Sequence, residues 1–111
     1  MPELSFTEYQ QHAARSAGMG AHLFSERLSV AALGLTGESG EVADHIKKHL
    51  GHGHPLDMDS LRKELGDVLW YVAELSTTMG IDLGEVAQGN VDKLLARYPD
   101  GFSTKRSLNR A

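Results

Sequence analysis

Apolar residues recur at spacings of three and four along most of the chain, and each such run ends at a turn signal. Ser5-Phe6-Thr7-Glu8 sets a hydroxyl three residues ahead of a carboxylate, the form of a capping box, and predicts a first helix from about Phe6 to Ala17, ended by Gly18-Met19-Gly20. From Ser25 to Leu50, the positions Leu28, Ala31, Ala32, Leu35, Val42, Ile46 and Leu50 keep a helical period, with Gly51 as the expected stop. His52 to Asp57 contains Gly and Pro and reads as a loop. Leu61, Leu65, Val68, Leu69, Val72, Leu75 and Met79 then predict a third helix ending before Gly80. Asp82-Leu83-Gly84-Glu85 has capping-box form again and opens a fourth, through Val86, Val91, Leu94 and Leu95, which must stop near Tyr98 because Pro99 follows. The tail from about residue 103 is polar and basic. No stretch alternates strictly with β-branched residues. The pattern predicts an all-α bundle of four to five helices, one domain over residues 1–111, with the second and third helices as its central antiparallel pair.

Composition narrows the classes of function. At 111 residues, 41% hydrophobic and 23% charged, the chain is one small globular domain. Its apolar runs are far shorter than the ~20 residues that span a bilayer, and the N-terminus carries no basic region followed by an apolar stretch. With no cysteine, disulfide scaffolds, thiolate zinc sites, Cys nucleophiles and iron–sulfur clusters are excluded, and a cytoplasmic location is expected. Fifteen acids against 11 bases, a net charge of −4, argue against a surface built to grip a nucleic acid polymer. Three Phe, three Tyr and one Trp are a thin supply for an isolated core, so a homo-oligomer is expected.

The chemistry concentrates on the two central helices. Glu38-Ser39-Gly40-Glu41 lies mid-way along the second and Glu64-Leu65-Gly66-Asp67 in the first half of the third; both read Glu-x-Gly-acid. Residues three apart point in one general direction on a helix, so each pair juxtaposes two like charges, which repel unless a cation lies across them. On a helical wheel Glu38 and Glu41 border the stripe of Leu35, Val42 and Ile46, while Glu64 and Asp67 border Leu61, Val68 and Leu75. If those stripes pack together, the four acids converge. Hard oxygen ligands in that number suit Mg²⁺ or Mn²⁺, and Mg²⁺ in turn implies phosphates. A solvated face is the plainer account of any one acid pair, and Asp44 with Lys48 and Lys63 with Asp67 read as ordinary i,i+4 ion pairs. A di-iron bundle needs Glu-x-x-His on two helices, and here the third residue on is Glu41 or Asp67.

Gly34, Gly37, Gly40 and Gly66 each weaken a helix by roughly 1 kcal/mol relative to Ala, and the expected reason is close approach by another helix or a ligand. His45, His49, His52 and His54 are dense enough to raise a transition-metal site, with His45 and His49 one turn apart, although a polar loop explains His52-Gly53-His54 more simply and His-Glu-x-x-His is absent.

From about Glu26 to Phe102 the chain resembles the MazG-like nucleotide pyrophosphohydrolases of the all-α NTP pyrophosphatase superfamily, whose hallmark is Glu-x-x-Glu followed a couple of dozen residues later by Glu-x-x-Asp. The stretches that carry the likeness are Gly37-Glu38-Ser39-Gly40-Glu41-Val42, Glu64-Leu65-Gly66-Asp67-Val68-Leu69-Trp70-Tyr71, and Asn90-Val91-Asp92-Lys93-Leu94 leading to Arg97-Tyr98-Pro99. The resemblance implies Mg²⁺-dependent hydrolysis of a (d)NTP between the α and β phosphates, giving a nucleoside monophosphate and diphosphate in nucleotide-pool house-cleaning, by a dimer or tetramer. It implies that Glu38, Glu41, Glu64 and Asp67 hold the metal, with Mn²⁺ a possible substitute, and that Glu38 accepts the proton of the attacking water. Lys48, Asn90, Lys93 and Arg97 would contact phosphates, and Tyr71 would face the sugar or base. The chain departs in having Gly37 where several relatives carry an additional Glu, which leaves the metal count and the base assignment open. Two other readings stand beside it: a non-catalytic helical dimerisation or regulatory module, and phosphoribosyl-ATP hydrolysis within the same superfamily.

Overall fold

A computed structural model describes residues 3–18 and 23–110. It is all-helical: α1 (Phe6–Ala17), α2 (Phe24–His52), α3 (Met58–Thr78), α4 (Leu83–Arg97) and a short α5 (Thr104–Leu108). The first helix starts as its sequence requires. Ser5 Oγ accepts from the Glu8 amide at 3.0 Å and Glu8 Oε1 accepts from the Ser5 amide at 3.1 Å, closing the capping box. Gly18 ends α1 in the left-handed conformation, at φ 63°. Met19 and Gly20 lie outside the described residues.

Three boundaries differ from expectation. α2 continues through Gly51 to His52 and is stopped by Gly53, which takes φ 73° and bonds the Lys48 carbonyl through its amide. At α4, Asp82 caps the Gly84 amide at 3.0 Å and its Oδ1 also accepts from the Thr7 hydroxyl of α1 at 2.8 Å, but Glu85 does not complete a capping box. Beyond Pro99, the basic tail forms α5, capped by Ser103 through the Arg106 amide at 3.1 Å.

α2 and α3 form the central antiparallel pair, joined by the loop 53–57, with α1 packed on α3 and α4. Polar side chains of α1 lock the far end of the bundle. Gln10 donates to Thr77 Oγ1 (3.1 Å) and the Ile81 carbonyl (2.8 Å), and accepts from the Leu83 amide (2.8 Å). Trp70 Nε1 donates to Ser16 Oγ at 2.9 Å. The buried core is small: Ala13, Ala73 and Leu83, flanked by Tyr9, Trp70 and Val72. The α3 stripe is rotated from the expected one, since Leu65 is exposed whereas Ala73, Glu74 and Ser76 are buried. Large apolar side chains such as Leu33, 73% exposed, and Leu50, 78% exposed, lie on the surface of the single chain.

Candidate metal and anion site

Antiparallel packing sets Gly34 of α2 against Tyr71 of α3, whose ring occupies the space a β-carbon at Gly34 would need. That register carries Glu38, one turn along α2, towards Asp67, one turn back along α3. The Glu38 carboxyl is held above the usual carboxylate range, first by burial and then by the charges of Glu41, Asp67 and Glu64. The other three acids therefore bear on Glu38, although among the described residues no three His, Asp or Glu side chains already enclose a common point.

Beside this quartet a cleft of about 580 Å³ is lined by Glu41, Asp44, His45, Lys48, Asp57 and Glu64, with His54 and Pro55 at its loop end. Glu64 Oε2 is buried there without a hydrogen-bond partner. His45 Nδ1 lies 3.7 Å from it, too long for a hydrogen bond. His45 Nε2 accepts from the Asp57 amide at 3.3 Å, which leaves the ring proton on Nδ1, facing Glu64. Four hard carboxylate oxygens, one of them orphaned and one raised by its neighbours, fit a divalent cation.

Lys48 reaches the same cleft, its ammonium 2.9 Å from Asp44 Oδ2; Lys47 also pairs with Asp44, at 3.1 Å. Among the described residues the Lys63–Asp67 pair does not form, and Asp67 does not line the cleft. The remaining expected substrate residues are placed elsewhere. Tyr71 lines a second cavity further along the α2–α3 seam. Asn90, Lys93 and Arg97 lie on α4, and none of them lines the acidic cleft; Arg97 instead borders a groove with Arg106 and Arg110.

The histidines do not converge on a metal. His49 Nδ1 bonds the His54 carbonyl at 2.8 Å, the His52 and His54 rings are 6.4 Å apart, and His45 faces Glu64 and Asp57. Their visible work is to hold the loop after α2 against the cleft. The placement of His45 beside Glu64 was not singled out from sequence, although a signal existed: His45 lies four residues after Glu41, one turn on along the same face. Of the four helical glycines, only Gly34 shows the expected close approach; a β-carbon at Gly37, Gly40 or Gly66 meets no described atom within 4 Å.

The second cavity, about 190 Å³, lies between the first turns of α2 and the second half of α3. Two of its wall residues, Glu74 and Arg27, carry buried polar atoms, Glu74 Oε1 and Arg27 Nε, with no hydrogen-bond partner. Glu74 is only 3% exposed, and burial pushes its carboxyl up despite the partial pull of Arg27 in the other direction.

Comparison with known proteins agrees with the all-helical fold. The model of the MazG nucleotide pyrophosphohydrolase domain matches residues 27–102. The chain is also similar to the Gene 37 protein of Mycobacterium phage L5, at 41% identity over 89 residues covering 77% of this chain and 78% of the phage protein. No solved structure matches. No helix among the described residues is long and apolar enough to cross a membrane.

Proposed function

The chain belongs to the MazG nucleotide pyrophosphohydrolase family, and on that premise we propose that it hydrolyses a nucleoside triphosphate to the monophosphate and diphosphate with the help of Mg²⁺. The observation that carries this reading is the acid-lined cleft at the α2–α3 seam, where Glu64 Oε2 is buried with no hydrogen-bond partner and the neighbouring Glu38 carboxyl is raised by burial and then by the charges of Glu41, Asp67 and Glu64, a cost that a cation relieves. Mg²⁺ bound by these four, or Mn²⁺ in its place, would neutralise phosphate oxygens and acidify a water for in-line attack at the α-phosphorus.

The chain's own groups supply the rest. Glu38, its carboxyl held above the usual range, is suited to take the proton of the attacking water. Lys48 stands in the cleft to meet a phosphate oxygen, exchanging part of its pairing with Asp44. His45 keeps its Nδ1 proton towards Glu64 and steadies that carboxylate. Asn90, Lys93 and Arg97 stand apart from the cleft within one chain, so their phosphate contacts are proposed across an interface with a second copy. The exposed Leu33 and Leu50 of α2 support such a homodimer or homotetramer, because a chain with so small a core leaves them to be covered.

A role in clearing non-canonical or excess nucleotides in the cytoplasm follows from this reading. The test is diphosphate release from a panel of (d)NTPs and phosphoribosyl-ATP with Mg²⁺ or Mn²⁺. Turnover of at least one (d)NTP is expected. Turnover of phosphoribosyl-ATP alone would move the activity to histidine synthesis, and inactivity across the panel would favour a non-catalytic module.

A further inference from the structure

The acidic cleft does not account for the second cavity, where a buried acceptor, Glu74 Oε1, and a buried donor, Arg27 Nε, both lack partners. Leaving two such atoms unpaired in one enclosed place is unfavourable, and a ligand offering one donor and one acceptor satisfies both. Apart from the Thr78 hydroxyl, the rest of the wall is Trp70, Tyr71, Ala17, Val30 and Ala31, flat or apolar surfaces suited to an aromatic ring. A cavity of about 150 Å³ is known to admit benzene. At about 190 Å³ this one admits one substituted six-membered ring and leaves little room for a fused second ring.

Its position ties it to the acidic quartet. Asp67, Tyr71 and Glu74 follow one another at four and three residues and share a face of α3, so Glu74 lies two turns, about 10.5 Å, beyond Asp67. That span is comparable to the reach of a mononucleotide from its α-phosphorus to the edge of its base. Resting on the hydrolase reading for the identity of the ligand as a nucleotide, we propose that this cavity is a pyrimidine-base site. In it Glu74 accepts from an exocyclic amino group and Arg27 donates to the adjacent ring acceptor, so that a cytosine-type base is preferred. Uracil and thymine offer Glu74 only a ring N–H flanked by two carbonyl oxygens, which a carboxylate repels. Purines carry the surplus ring.

Trp70 is the single tryptophan of the chain and a wall of the cavity, so its fluorescence reports occupancy without any need for hydrolysis. Titration of the full chain with dCMP, dUMP, dTMP and dAMP is expected to show dCMP binding at least about tenfold more tightly than the others, as a lost buried hydrogen bond implies. Glu74→Gln should reduce that preference to within about threefold while circular dichroism keeps the helical signal. If Glu74→Gln loses that signal, Arg27→Gln is titrated instead, with the same loss of preference expected. Equal affinity for all four monophosphates, or a preference unchanged in a folded variant, overturns the base site. Preferential dCMP binding without diphosphate release from any triphosphate would count against the hydrolase and not against this site; hydrolysis with an unchanged pyrimidine ranking in the variant would do the reverse.

Discussion

The ring of Tyr71 lies where a β-carbon on Gly34 would have to be, so α2 and α3 meet at this level through an aromatic ring and bare backbone. A glycine weakens a helix interior by roughly 1 kcal/mol, and here the loss is offset by a contact that no other residue permits. The same contact stands between the acidic quartet and the aromatic cavity. Gly34→Ala is therefore expected to destabilise the chain by about 1–3 kcal/mol in urea unfolding, through overpacking. Adding Tyr71→Ala should recover part of that loss, a non-additivity measurable as a double-mutant cycle.

Glu41→Gln and Asp67→Asn each remove one charge from the quartet without changing its shape. Both should lower diphosphate release by at least about 100-fold while leaving the helical signal intact. In the unsubstituted chain, Mg²⁺ should raise the melting temperature because it binds the folded state, and each variant should blunt that rise. Equal stabilisation by Mg²⁺ in all three chains would count against the quartet as the metal site.

Glu74 gives a pH dependence of definite sign. Its carboxyl is raised in the folded chain, so folding binds its proton more tightly, and the stability it supports at low pH is lost as pH rises from 4.5 through the raised value. Glu74→Gln should accordingly be more stable than the unsubstituted chain near neutral pH, by on the order of 1 kcal/mol, with the advantage shrinking as pH falls through the raised value and gone below 4.5. Thermal melts of the two chains across pH check this.

Asp57 has the opposite sign. Its side chain caps α3 by accepting from the Ser60 amide at 3.1 Å and the Ser60 hydroxyl at 2.9 Å, and these bonds hold its carboxyl below the usual range. The stability it adds is present above 3.8 and is lost as pH falls through its lowered value. An Asp57→Asn chain should lack that acid-limb loss, which melts below pH 4 would reveal.

Leu33, exposed on α2, tests the proposed assembly. Leu33→Asp should weaken self-association by at least about tenfold in sedimentation velocity, since one buried leucine is worth roughly 2 kcal/mol at an interface. An unchanged sedimentation profile would remove α2's outer face from the contact.

Local order alone carries much of this molecule. The capping box at Ser5 and Glu8, the helical spacing of apolar residues and the two Glu-x-Gly-acid pairs depend on neighbours within a turn, so helix positions and the acidic pairs are legible in the order of residues. What that order leaves open is set by contacts between distant segments. Gly53 rather than Gly51 ends α2, because the carbonyl of Lys48 is met by the amide that lies beyond Gly51. Asp82, at the head of α4, is tied to Thr7 of another helix, and Glu85 closes no capping box with it. Facing one another across the seam, Arg27 and Glu74 look in sequence like an ordinary surface base and acid. Their burial, and the cavity between them, follow from the rotation of α3 that buries Ala73 and Ser76 and turns Leu65 outward. Periodicity marks which residues share a face; which face is covered is decided by the volume and shape of the helix that packs on it.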